Sequence, residues 1–151
     1  MIRNAYDIAN VLVGIAERPG NATHPMIAWA FELSGLPPNT SDEMAWCGAF
    51  QMLTAYLAAD DTPNQPARAR SWLTVGKPIA LADARPGDTV ILMRGMNAQP
   101  GPEVLDAPGH VGRFAGRIVT SKEIILLGGN QSNAVGFARF SEARLLGIRR
   151  A

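Results

Sequence analysis

Two hydrophobic periods divide this chain between them, and that division constrains the fold more than any other feature. In the first half, apolar residues recur at spacings of three and four. Tyr6, Ile8, Ala9, Leu12, Val13 and Ile15 outline one face of an amphipathic helix. In the second half, short β-type runs alternate with turn-rich segments. The strand candidates are 89–93, 110–114, 117–120, 123–127, 134–140 and 145–149, spaced like a meander of hairpins. Helices first and strands after argue for an α+β fold, with N-terminal helices packed on a C-terminal antiparallel sheet. A chain of 151 residues reads as one domain, 1–151, long enough to bury a core without disulfide or metal staples.

Local punctuation refines the pattern. Arg18-Pro19-Gly20 ends the first helix. Thr23, as N-cap with Pro25 just inside, opens a second helix over 24–33, and the Gly and Pro content of 34–39 stops it. Residues 46–59 are apolar on nearly all sides, which predicts a buried central helix. A short helix is expected over 67–73, and Pro86-Gly87-Asp88 reads as a turn. Residues 94–108, with two glycines and three prolines, form a long loop; loops of that length in compact domains are usually functional or mobile. Trp29 and Trp72 fall in apolar helical patterns and are expected in the core.

The charge balance is near neutral, with a formal net charge of +1. It gives no electrostatic argument for nucleic acid or for a membrane surface. The basic C-terminal run, Arg144 to Arg150, brackets apolar residues and reads as a final strand with a solvated end. No apolar run reaches the length of a transmembrane helix, so no membrane insertion is expected. The start, Met1-Ile2-Arg3-Asn4-Ala5-Tyr6-Asp7, lacks the pattern of a secretory signal. Synthesis in the cytoplasm without a signal peptide is the expectation, with access to any outside substrate depending on another agent. The single cysteine excludes an intramolecular disulfide.

That cysteine, Cys47, stands in Trp46-Cys47-Gly48-Ala49-Phe50 at the start of the central helix. A helix N-terminus favours the thiolate, through its free N–H groups and the macrodipole. Those N–H groups are also candidate oxyanion donors, and Gly48 and Ala49 are small enough to let a substrate backbone approach. Alone, Cys47 fits a buried inert thiol better. His110, in Gly109-His110-Val111-Gly112, opens a strand just after the long loop and is the candidate base. Alone, it fits a histidine bonded to a loop carbonyl. The other histidine, His24, reads as a surface or capping residue. Asn130, in Gly128-Gly129-Asn130-Gln131, is the candidate orienting residue for the His110 ring, although Gly-Gly-Asn is also good turn chemistry. Gln131 is expected to point the other way and to contact substrate. Trp46 is expected to line the cleft. Asp42 and Glu43 are expected either to bind a cationic group of the substrate or to favour the helix N-terminus. Two carboxylates are too few to predict a calcium site, and no metal or cofactor is expected.

The ordered set of motifs resembles a known family. Asp42-Glu43-Met44-Ala45-Trp46-Cys47, Ala69-Arg70-Ser71-Trp72-Leu73, Pro86-Gly87-Asp88, Gly109-His110-Val111-Gly112, Gly128-Gly129-Asn130-Gln131 and Leu146-Gly147-Ile148-Arg149-Arg150 resemble the short single-domain bacterial and phage cell-wall hydrolases of the CHAP/NlpC type, within the papain-like superfamily. The resemblance runs from about residue 8 to the C-terminus. It implies a papain-like fold and a monomeric peptidoglycan hydrolase. Cys47 would be the nucleophile, His110 the base and acid, and Asn130 the orienter. The bond cut would be in the stem or cross-bridge peptide, or be the amide to N-acetylmuramic acid. An acidic residue that some relatives carry two positions before the asparagine is Gly128 here. The implied setting is a phage or prophage endolysin released by a holin. The alternatives are an antibacterial amidase toxin delivered by a secretion system, or a virion or wall-binding domain with a vestigial site.

Overall fold

The computed structural model describes residues 1, 4–20, 22–37, 39–41 and 45–151. Asn4 caps the first helix, α1 (Ala5–Val11), by accepting from the Asp7 N–H at 2.9 Å. This helix is shorter than its apolar period predicts. Gly14 turns the chain with φ +97°. The next residues run extended against the start of a strand, with Ala16 bridging Ala134 and the Val135 N–H donating to Ile15 O at 2.7 Å. The second helix, α2, covers Pro25–Leu33. Its cap is His24, whose Nδ1 accepts from the Met26 N–H at 3.1 Å. Thr23, expected in that role, instead donates its hydroxyl to Thr40 O.

The third helix, α3 (Cys47–Ala58), is the buried central element that its composition predicts. Residues from Cys47 to Gln51, then Leu53, Thr54 and Ala55, are buried. One side of it packs on α1 and α2, the other on the sheet. The helix surfaces only in its last turns, where Tyr56 and Leu57 are exposed. Trp29 of α2 meets Tyr56 edge-on at 6.5 Å and is itself partly exposed, so it is a surface residue rather than a core one. Trp72 is in the core as expected, with its indole N–H donating to Pro66 O. It lies in a 3₁₀ segment, Ala69–Thr74, where the sequence suggested a short helix.

Six strands make one sheet: β1 (Lys77–Pro78), β2 (Thr89–Met93), β3 (Gly109–Ile118), β4 (Glu123–Gln131), β5 (Ala134–Ser141) and β6 (Leu145–Arg150). Their order is β1-β6-β2-β3-β4-β5, with every neighbouring pair antiparallel. Strands β2 to β5 form the expected meander, and β6 returns to the free side of β2. The two runs read as 110–114 and 117–120 are one strand, carried past Ala115-Gly116 by a bulge. The architecture is α+β with an antiparallel sheet. Both sheet faces are covered. Ile91 and Val111 pack towards α3 with Ala55 and Trp72. Val90, Leu92, Phe114, Ile124, Leu126 and Ile148 make a second core on the other face. That is why β2 reads as an unbroken apolar run. The final strand is tied down by Arg150, whose Nε and Nη2 reach the two carboxylate oxygens of Asp88 at 2.8 and 2.7 Å.

Candidate active site

The site forms where the N-terminus of α3 meets the beginning of β3. Trp46 is the N-cap and contributes no side-chain cap bond. The first helical bond runs from the Phe50 N–H to Trp46 O. The N–H groups of Cys47, Gly48 and Ala49 therefore precede the helical ladder, at the positive end of the helix. Trp46, expected in the cleft, is wholly buried. Its indole N–H donates to Glu17 Oε1 at 2.8 Å, and its ring meets Phe50 edge-on. The extended segment after Gly14 is what delivers Glu17. Trp46 thus fixes the base of the helix rather than the substrate.

Gly129 of β4 presses onto the same two rings. A Cβ there would lie 2.6 Å from Phe50 Cβ and 2.7 Å from the Trp46 ring. Gly48 has a similar role. Its missing side chain makes room for the backbone oxygens of Pro66 and Ala67, 2.6 and 2.4 Å from where a Cβ would stand, not for a substrate. Ala49 is buried in the core.

Cys47 is only 3% exposed, yet it borders a depression of about 390 Å³ together with Ala67, Arg68, Arg94, Asp106 and Pro108. Its thiol pKa falls from 9.0 to about 7. Burial is the largest influence and pushes the value up. It is outweighed by a hydrogen bond to the His110 side chain, the charge of that ring, the Val111 N–H and the more distant charge of Arg94.

The His110 ring is held on its far side by Gln131, not by Asn130. Nε2 of His110 lies 3.0 Å from Oε1 of Gln131. A bulge between Gly128 and Gln131 accounts for the exchange. Gly128 pairs with Gly136, but Gln131 pairs with Ala134, so Gly129 and Asn130 stand opposite Val135 alone and one extra residue is inserted into the ladder. Asn130 takes φ +56° and turns to the rim, and Gln131 is brought to the face where the regular pleat would have put Asn130's side chain. Gln131 is buried.

The polarity of this contact follows from the rest of the amide. Nε2 of Gln131 donates to Leu126 O at 3.1 Å and to Gly136 O at 2.5 Å. With both hydrogens committed to carbonyls, Oε1 must face His110, and it can only accept. His110 Nε2 therefore carries a proton. The nitrogen left for the thiol is Nδ1, with its lone pair free in the neutral ring. Phe140 supports the ring with centroids 5.0 Å apart.

Arg70 shapes the remaining wall and was not singled out by its sequence position within a short helical pattern. It is fully buried. Nε donates to Pro108 O at 2.9 Å, and Nη1 to Pro100 O at 2.9 Å and Gly101 O at 2.8 Å. Nη2 reaches Gln99 Oε1 at 3.3 Å. Gln99 in turn bonds the backbone of Arg94 through both ends of its amide. One side chain thus fastens the 94–108 loop just before it delivers His110. Gly109 allows this, since a Cβ there would sit 2.9 Å from Arg70 Cγ.

Asp42 and Glu43 lie outside the described residues. Among the described residues, no group of three or more His, Cys, Asp or Glu side chains is placed to hold a metal ion, and no helix is long and apolar enough to cross a membrane. No family model matches the chain, and no curated protein matches it.

Proposed function

We propose that this protein is a cysteine hydrolase that cleaves amide bonds of peptidoglycan by acyl transfer, with a papain-like arrangement of helix-borne nucleophile and strand-borne histidine. The observation that carries the reading is the relay Cys47–His110–Gln131, in which the ring has one nitrogen held and the other turned to a thiol of pKa about 7. An inert buried cysteine has no need of such a ring, and desolvation alone would push its pKa up.

Cys47 passes its proton to Nδ1, and the thiolate sulfur attacks the amide carbonyl carbon. The N–H groups at the start of α3 are suited to the oxyanion that develops. The imidazolium returns the Nδ1 proton to the departing nitrogen as the C–N bond breaks. A thioester and a free amine result. Water, deprotonated by His110, then attacks the thioester, and the thiol leaves with a proton from the ring. Peptidoglycan as substrate, and a lytic role such as that of an endolysin, rest on the motif resemblance rather than on the relay.

The test is digestion of purified peptidoglycan with mass spectrometry of the soluble fragments. The expected result is a new amine within the stem or cross-bridge peptide, or on the alanine joined to muramic acid. A C47A variant that folds normally should release none. Equal release by C47A would overturn the assignment.

A further inference from the structure

We propose that Arg94 and Arg144 form a carboxylate subsite on the His110 side of the groove, which seats a free carboxylate of the substrate peptide next to the scissile bond. The inference rests on the hydrolase reading above and adds a substrate requirement to it.

The two guanidiniums border a depression of about 260 Å³, whose wall also includes His110, Asn130, Ser132 and Phe140. Among the described residues, only the Nε of each is engaged. Arg144 Nε donates to Met93 O at 2.9 Å, and Arg94 Nε to Gly109 O at 3.3 Å. Among the described residues, their Nη groups make no hydrogen bond, and neither arginine is in an ion pair. The ion pairs are elsewhere, Arg117 with Glu142 and Arg150 with Asp88. Arg144 is positioned as well as charged, because its guanidinium lies 5.0 Å over the Phe140 ring that supports His110.

Two cations that share a depression, with no ion-pair partner among the described residues, repel each other. Burial and the charge of Arg94 both push the Arg144 pKa down. A carboxylate entering between them removes that repulsion and matches the planar fork of donors that an arginine presents. Arg94 also borders the neighbouring stretches of the groove, one with Asp106 beside Cys47 and one with Glu17, which is engaged by the Trp46 indole. Neither acid lines the stretch that Arg94 shares with Arg144 and His110, and among the described residues neither is in an ion pair with an arginine. The groove is therefore cationic where it passes His110. A peptide chain lying across the relay would meet Arg94 on both sides of His110 and Arg144 only on the side away from Cys47.

The test compares two stem peptides identical except that one side carboxylate is free in the first and a carboxamide in the second. Wild-type protein should turn over the acid with kcat/KM about tenfold higher, chiefly through KM. R144Q should lose that preference by slowing only the acid, and R144K, which keeps the charge without the fork, should retain part of it. Equal turnover of both peptides by wild type, or an equal loss on both in R144Q, would overturn the subsite. Calorimetry with C47A separates this from the hydrolase reading. If neither peptide is cleaved, the nucleophile assignment fails, and tighter binding of the acid to C47A but not to C47A/R144Q still supports the subsite. Equal affinities for acid and amide overturn it.

Discussion

Gln131 presents its Oε1 to Nε2 of His110 at 3.0 Å and cannot present its other end, because both hydrogens of its Nε2 are taken by the carbonyls of Leu126 and Gly136. A neutral amide thereby does the work often given to a carboxylate. It fixes the ring, fixes the tautomer and leaves the basic nitrogen facing Cys47.

Replacing Gln131 should therefore damage catalysis more than binding. Q131L keeps the volume but leaves the ring without an acceptor and two carbonyls without donors. Its kcat should fall about 10²-fold, the scale of a misplaced catalytic group, with KM little changed. N130A should leave kcat close to wild type. Steady-state kinetics on one peptide substrate decide the matter, and a larger kcat loss in N130A than in Q131L would reverse the assignment of the two residues.

The thiol titration gives a second prediction. Because the Cys47 pKa is lowered from 9.0 to about 7, the thiolate fraction grows as pH rises through 7. The rate of iodoacetamide alkylation should rise with a midpoint near pH 7, well below an unperturbed thiol. R94Q removes a favourable charge, so its midpoint should move to higher pH. H110A removes both the hydrogen bond and the ring's charge while burial persists, and should move it further. A midpoint unchanged in H110A would contradict the coupling of thiol and ring.

Two glycines in adjacent strands make a controlled comparison. At Gly129 an added methyl meets Phe50 and the Trp46 ring at under 3 Å, whereas at Gly136 it meets nothing within 4 Å. G129A should cost about 1–3 kcal/mol, the usual range for overpacking a filled core. It should also lower activity, because the rings it displaces seat the start of α3. G136A should leave stability within about 0.5 kcal/mol of wild type, as surface changes do. Chemical denaturation of the pair measures both.

Arg70 holds the loop wall through the carbonyls of Pro108, Pro100 and Gly101. R70M should lower stability by about 3 kcal/mol, since hydrogen bonds to a charged group are worth about 1.5–3 kcal/mol each and Arg70 makes several of them. It should also raise KM, because Pro108 and, through Gln99, Arg94 lose their anchor. R70K should recover little, because one ammonium cannot span the carbonyls of Pro108, Pro100 and Gly101. An R70M variant with normal stability and KM would remove the loop from the account.

Much of this molecule was legible in the chain by itself. The change of hydrophobic period marks helices before a sheet, the all-apolar run after Trp46 marks the buried helix, and Pro86-Gly87-Asp88 marks a turn. Cys47 and His110 could be chosen because only one cysteine and two histidines exist. These are local facts, set by propensity and composition. Which residue faces which was decided only by the tertiary structure. Sequence counting gave the ring to Asn130 and the cleft to Trp46. A bulge in β4 passed the ring to Gln131, and an extended segment after Gly14 brought Glu17 to bury Trp46. Arg70 and Arg94 gained their places through a loop whose path no period describes. A strand pleat assigns faces only while the ladder is regular, and long-range packing decides where it is not.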